Sequence, residues 1–222
     1  RQIFNDVKKF KKIKVNNGVF GLVIEPGMKF MHYQILSPKF KNFKIKKSIS
    51  KNHNFVYEAH SSDYQSLLSL KNLVKNNFKF LKVGPELTFY MTRALFFMED
   101  VEKKYFLKNR SNIKKKILIE MMKNKKYWSN YYSGKKKSLK KLIFNSRLDR
   151  MRYYLNKRNI EKSKKILRKN INTLDKNLIV KILNKKKLPK YNEKNLDNFD
   201  LINLSYLGNS LKKYYKACGY RA

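Results

Sequence analysis

The chain is poor in cysteine, proline, glycine, alanine and acid. Its 222 residues include one Cys, four Pro, seven Gly, four Ala and 15 Asp plus Glu. A lone Cys218 cannot close an internal disulfide, so a stapled secreted scaffold is excluded and a reducing cytoplasm is the default setting. No run of about 18 consecutive apolar residues occurs, so no membrane-spanning helix is expected. The chain opens at Arg1 with no charged-then-apolar leader behind it, which again points to the cytoplasm. Histidine is scarce too: His32, His53 and His60 are all there is, which limits any metal site. What the chain does hold is 42% hydrophobic residues, enough for a packed core and too many for an extended disordered polymer.

Base is abundant where acid is not. Lys plus Arg number 54, for a formal net charge of +39. Residues 1–107 carry +12 and residues 108–222 carry +27, so the charge is spread rather than gathered on one segment. Lys outnumbers Arg by 45 to 9, and Asn occurs 25 times. Arg is the better residue for bidentate phosphate and base contacts, so a surface selected to read nucleic acid would not avoid it. Much Lys, Asn, Ile and Phe beside little Ala, Gly, Pro and Arg is the signature of an AT-rich coding sequence. Non-specific attraction to nucleic acid at low salt follows from the charge alone. A specific nucleic-acid partner is not expected, although a basic nucleic-acid-binding protein stays as one alternative.

The first half alternates between strand and helix signals. Val19–Ile24 is an apolar, β-branched run stopped by Glu25-Pro26-Gly27, which reads as a strand buried on both faces. Ser37-Pro38 has N-cap and first-turn chemistry, predicting a helix to about Lys51. Asn54–His60 is a second strand. Ser61-Ser62-Asp63 supplies helix-start chemistry, and Leu67, Leu68, Leu70, Leu73 and Val74 then recur at helical spacing. Phe78–Val83 is a third strand, stopped by Gly84-Pro85, and Leu87 to about Leu107 is a long helix. Three strand–helix units in a row predict a parallel sheet with helical crossovers, whose chemistry sits at the carboxyl ends of its strands. From Ile113 on, no strand is expected. Helices are predicted over 113–123, 139–155, 160–169, 174–185 and 199–217, with the Lys runs 114–116, 135–137 and 185–187 as solvated faces. The resulting division is 1–107 and 108–222.

The strand ends carry a resemblance. Phe55-Val56-Tyr57-Glu58-Ala59-His60-Ser61-Ser62-Asp63-Tyr64-Gln65 is similar to a strand ending in Glu-Ala-His-Ser-Thr-Asp-Tyr-Gln. Leu81-Lys82-Val83-Gly84-Pro85-Glu86-Leu87-Thr88-Phe89 is similar to Leu-Lys-Val-Gly-Pro-Ala-Leu-Thr-Phe. Pro26-Gly27, His32-Tyr33, Tyr127-Trp128 with Tyr131-Tyr132, Asp149-Arg150-Met151-Arg152-Tyr153-Tyr154 and Leu188-Pro189-Lys190 match in the same order. Together they resemble the non-catalytic subunit of class II D-tagatose-1,6-bisphosphate aldolase, a family also labelled tagatose-6-phosphate kinase. The sequence departs from that pattern at Glu86, where Ala is usual, and at Thr92-Arg93, where Arg-Glu is usual. The kinase label finds no Gly-x-x-x-x-Gly-Lys-Ser/Thr loop to support it.

The resemblance implies an α/β fold: the last three βα units of a (β/α)₈ TIM barrel over 1–107, followed by an all-helical extension over 108–222. It implies an accessory role in carbohydrate catabolism of the galactitol or N-acetylgalactosamine type. The partner would be a catalytic aldolase subunit, or a second copy of the chain, with a sugar phosphate as the small molecule. A metal-dependent ketohexose-phosphate 4-epimerase is the other enzymatic reading.

Related catalytic aldolases hold zinc through histidines at such strand ends, which implies His60 and His32 as metal ligands. A catalytic zinc takes three protein ligands and a water, so the set is incomplete in this chain; His53 lies at the wrong end of its strand. Glu58 alternates with His60 and points the same way. It is either an acid/base with Asp63 or a structural partner of Lys82 on the next strand. Lys82, Gly84 and Thr88 resemble a phosphate-holding strand end, with Gly84 allowing close approach and the following helix start favouring an anion. Ser61 is a further substrate contact on that rim, and Ser61, Ser62 and Asp63 read equally as helix caps. The aromatic group from Tyr127 to Tyr154, at helical spacing, reads as core or helix interface rather than a base-stacking platform.

Overall fold

A computed structural model describes residues 21–38, 56–188 and 195–220. Three short strands, β1 (Gly21–Ile24), β4 (Val56–Ala59) and β5 (Phe78–Leu81), form one parallel sheet in the order β1-β4-β5. The register pairs Val23 with Glu58 and Glu58 with Phe80. The ladder runs past the strand ends, because His60 N donates to Ile24 O at 3.3 Å and Lys82 N donates to Ala59 O at 3.0 Å. The three segments expected as neighbouring parallel strands therefore are so. A small antiparallel hairpin, β2 (Lys29–Phe30) and β3 (Ile35–Leu36), follows β1. Two-residue strands leave no period to read, and the sequence gives no sign of this hairpin.

Helix α1 (Leu67–Lys75) starts at Ser66, whose hydroxyl accepts from Ser69 N at 3.1 Å, the bond that an N-cap serine supplies. Its apolar stripe buries Leu70 and Leu73 completely, each stabilising the fold by about 1.5–3 kcal/mol. They pack with Tyr57, Ala59 and Phe78 from one face of the sheet and with Ala217 near the chain's far end. Helix α2 (Pro85–Tyr105) opens with Pro at its first position, where the missing N–H costs nothing.

Five further helical pieces follow: α3 (Ile113–Lys123), α4 (Lys136–Asn145), a 3₁₀ turn (Arg150–Tyr153), α5 (Arg158–Asn172) and α6 (Lys176–Lys185). Helix α7 (Asn198–Ala217) then returns along α1 and α2. These helices share a second core that includes Leu95, Met98, Ile117, Tyr154, Ile160 and Leu167. In α5, Ile160, Ser163, Leu167 and Ile171 are buried at helical spacing, which turns Lys162, Lys165 and Lys169 to water.

Two expectations need correction. The first strand is not buried on both faces, since Val23 is 52% exposed. The packing residues Leu22 and Ile24 face the small core, and no described helix covers the opposite face. The helix expected over 139–155 is broken: α4 ends at Asn145 and Asp149 adopts a left-handed backbone with φ 43°. Tertiary bonds hold the break. Arg147 N donates to His32 O at 3.0 Å and Tyr64 Oη donates to Arg147 O at 2.8 Å, which outweighs the local helical preference. The helix expected from Ser37 to Lys51 lies, past Pro38, outside the described residues.

Candidate functional site

Alternation along β4 decides what reaches the rim. Tyr57 and Ala59 are buried on the helix side, whereas Val56 and Glu58 are half-buried on the other. Glu58 therefore stands in the open row with Val23 and Phe80, the latter 46% exposed. Just above it, His60 Nε2 lies 3.0 Å from Glu58 Oε1. Lys82 Nζ, from the end of β5, lies 3.3 Å from the same His60 nitrogen and 4.0 Å from Glu58 Oε1. Glu58, His60 and Lys82 thus form one acid–imidazole–ammonium group. Their side chains are 31%, 30% and 59% exposed, so solvent and small molecules reach them. Both partners proposed for Glu58 in the sequence are present at once.

The remaining rim residues do different work. Asp63, 3% exposed, accepts through Oδ1 from Gly84 N at 2.8 Å and from Glu86 N at 2.9 Å. It caps the start of α2 from the loop of the neighbouring strand, as Ser or Asp does within one helix. Burial raises its carboxyl above the usual range, and the two amide bonds work against that rise. The Gly84 amide and helix start expected to receive a phosphate are thereby occupied by a protein carboxylate. Thr88 donates to Pro85 O at 3.2 Å and to Asp149 Oδ2, so its hydroxyl faces the 146–149 segment. Ser61 sits in a left-handed conformation with φ 60° and is half-buried at the rim. Ser62, fully buried, donates to Lys82 O at 2.6 Å and fixes the β5 end against the β4 loop.

His32 does not join His60. Its Nδ1 lies 2.8 Å from Ser146 Oγ, and its ring packs on Tyr132 with centroids 5.6 Å apart. His53 lies outside the described residues. Among the described residues no three His, Cys, Asp or Glu side chains gather as a metal cluster. At the rim, Glu58 and His60 offer two donors, and the Lys82 ammonium stands against the same imidazole nitrogen. A cation so placed opposes a divalent ion electrostatically, so these residues do not fit a catalytic zinc.

The sequence reading missed the buried hub beneath this rim. Glu86 has no exposed surface, yet it receives four donors from the β4 loop and α7. Tyr64 N reaches Oε2 at 2.5 Å and the Tyr214 hydroxyl reaches the same oxygen at 2.6 Å. Ser210 Oγ donates to Oε1 at 2.8 Å, and Lys213 Nζ pairs with it at 2.5 Å. The Lys213 charge makes this last contact an ion pair as well as a hydrogen bond. Asp63 caps α2 while Glu86 of α2 caps the Tyr64 amide, the exchange of a capping box between two loops. Asp149 is the second hidden acid: burial pushes its carboxyl up to about 6, against the Thr88 bond and the Arg152 and Arg93 charges. The signals available were the departure at Glu86 and the Asp149-Arg150 motif, neither of which names its partners. Of the aromatic group, Trp128, Tyr132 and Tyr154 are core, while Tyr131 and Tyr153 stay 47% and 41% exposed.

Comparison with known proteins places this geometry. The profile described as "D-tagatose-1,6-bisphosphate aldolase subunit GatZ/KbaZ-like" matches residues 2–219. A protein of Escherichia coli named "D-tagatose-1,6-bisphosphate aldolase subunit GatZ" is 33% identical over 159 residues, covering 71% of this chain and 38% of that protein. Its namesake in Salmonella dublin matches to the same extent. This chain thus spans well under half the length of the curated relatives it matches. A crystal structure of a probable tagatose 6 phosphate kinase from Sinorhizobium meliloti superposes with a TM-score of 0.77 at 24% identity. The superposition covers 90% of this chain and 53% of that one, and shows a shared fold. No described helix is long and apolar enough to cross a membrane. With a profile match running almost end to end over strand ends, rim and helices alike, the chain belongs to the GatZ/KbaZ-like family of D-tagatose-1,6-bisphosphate aldolase subunits.

Proposed function

We propose that this chain is the non-catalytic subunit of a class II tagatose-1,6-bisphosphate aldolase, supporting a separate catalytic subunit in carbohydrate catabolism. The observation that carries the reading is how the rim's acids are used. Asp63 caps α2, Glu86 anchors α7 and Asp149 holds Thr88, so these three carboxylates serve the scaffold. The finer fold reading goes with it. β1, β4 and β5 are the closing strands of a (β/α)₈ barrel over 1–107, and 108–222 is a helical extension bound to them through α7. Helices on one sheet face, and an exposed row of Val23, Glu58 and Phe80 on the other, support that placement. Residues with this exposure invite further strands or a partner.

The sugar phosphate belongs at the open group. Lys82 would meet the phosphate and Ser61 a hydroxyl, while Glu58 and His60 would exchange a proton. Co-expression with a catalytic class II subunit tests the subunit reading. The two chains should co-elute, and the catalytic subunit's half-life and its cleavage of tagatose 1,6-bisphosphate to triose phosphates should rise. Val23→Lys, on the open face, should abolish co-elution while leaving the isolated chain folded. A half-life and activity indifferent to this chain would overturn the reading.

A further inference from the structure

The helical half carries a second concavity that shares no residue with the rim. A cavity of about 450 Å³ opens among α2, α3, α4 and α7, with Lys186 at its mouth; small-molecule sites run from roughly 300 to 1,000 Å³. Its walls are aromatic. Phe96 meets Phe144 edge-on with centroids 5.5 Å apart, and Phe97 tilts against Tyr206 at 5.6 Å.

Charge in the cavity is unbalanced. Arg93, Lys114 and Lys186 line it with one acid, Asp100, and Asp100 is already engaged by Lys114 at 2.7 Å. The Arg93 guanidinium lies 4.8 Å from the ring centroids of both Phe89 and Phe96. It donates to Asn145 Oδ1 at 3.0 Å and to Phe144 O. Its Nε is buried without a hydrogen-bond partner among the described residues. No described carboxylate comes within ion-pair distance of Arg93 or Lys186. Burial depresses the guanidinium's basicity, and Asp149 opposes that only through space. A partly desolvated guanidinium without a contacting anion is costly, and an anionic ligand removes the cost.

We propose that this cavity binds a nucleoside monophosphate. The base lies on the Phe97 and Tyr206 rings, where flat π-faces stack. The phosphate meets Arg93, Lys114 and Lys186, a fork and two point charges suited to it. The Asn145 amide NH₂ remains to donate to the base or ribose.

Calorimetric titration of the full chain at physiological salt with adenosine 5′-monophosphate tests this. Binding should saturate at one site and be at least about tenfold tighter than adenosine or inorganic phosphate under the same conditions. Lys186→Gln, at an exposed position, should weaken it about fivefold, and Arg93→Lys more. Lys137→Gln, equally exposed on α4 but outside the cavity, should leave it unchanged. Monophosphate bound no better than inorganic phosphate would mean attraction to a chain of net charge +39 and would overturn the proposal. So would an undiminished affinity in Lys186→Gln, or no saturable binding at millimolar nucleotide.

Discussion

Glu86→Ala puts the buried hub to a direct test. The change removes the carboxylate on which Tyr64 N, Ser210, Lys213 and Tyr214 converge. Taking one member from a buried ion pair costs about 3–5 kcal/mol, because the other charge is left uncompensated. Two features moderate that. The Lys213 side chain is 20% exposed and can turn its ammonium to water. Tyr214 keeps its bond to Ser62 O at 2.9 Å. Asp63, whose carboxyl Glu86 pushes up through space, also gains from the removal. The lower end, about 3 kcal/mol, is therefore expected. For a chain of this size that corresponds to a fall in Tm of roughly 6–12 °C. Urea unfolding followed by far-ultraviolet circular dichroism measures it, with an unchanged m-value showing that the same surface unfolds. Lys213→Met alone should cost a similar amount, since it strands the carboxylate instead. The double variant should cost less than the two singles together by at least about 1 kcal/mol. A single-variant loss under about 1 kcal/mol, or strict additivity, would refute the view that Glu86 and Lys213 act as one unit.

The second hidden acid gives stability a pH slope. The Asp149 carboxyl, at about 6 when folded against 3.8 ordinarily, binds its proton more tightly in the native state. Its stabilising share is thus complete below about pH 4 and lost as pH rises through 6, a change of roughly 3 kcal/mol. Asp149→Asn keeps a residue that tolerates the left-handed backbone and should remove that slope. A wild-type-minus-variant difference that stays flat between pH 4 and 7.5 would refute it. Tyr57 is 1% exposed and its hydroxyl has no hydrogen-bond partner among the described residues. Tyr57→Phe should stabilise the chain by about 1 kcal/mol, since an unmet buried hydroxyl carries a penalty of that order. Thermal melting reads this as a rise of about 2–4 °C, and a fall would show the hydroxyl to be satisfied.

What could be read from the sequence was what adjacent residues determine together. The run ending at Ile24, the strand at Val56–Ala59 and the strand at Phe78–Leu81 announce themselves by branched and aromatic residues between breakers. Their parallel order follows from the helix pattern between them. Pro85 marks a helix start that α2 keeps, whereas α1 is capped by Ser66 rather than by the Ser61-Ser62-Asp63 run expected to start it. At the rim, the alternation that puts Glu58 and His60 on one side is local, and so is the placement of Lys82 at the next strand end. Partnerships across 60 or more residues left no such trace. Thr88 with Asp149, His32 with Ser146, and Glu86 with Ser210 are 61, 114 and 124 residues apart. Each joins a polar residue that, read alone, suits a helix cap, a solvent face or a ligand equally well. The break at Asn145 has the same origin: no proline or glycine marks it, and only the bonds from His32 and Tyr64 decide it.

That asymmetry bears on the function of the rim. A carboxylate at a strand end is free for chemistry only if no distant donor claims it, and Asp63, Glu86 and Asp149 are all claimed. Glu58 is an acid at these strand ends whose partners, His60 and Lys82, are themselves reached by solvent. The sugar-phosphate contact proposed for the rim therefore centres on those three side chains, with Ser61 beside them. A variant that removes the Glu58 carboxylate and leaves ligand binding intact would place the contact elsewhere. The buried acids beneath hold α2, α7 and the 146–149 segment in position, so their loss should register first in stability and only through it in function.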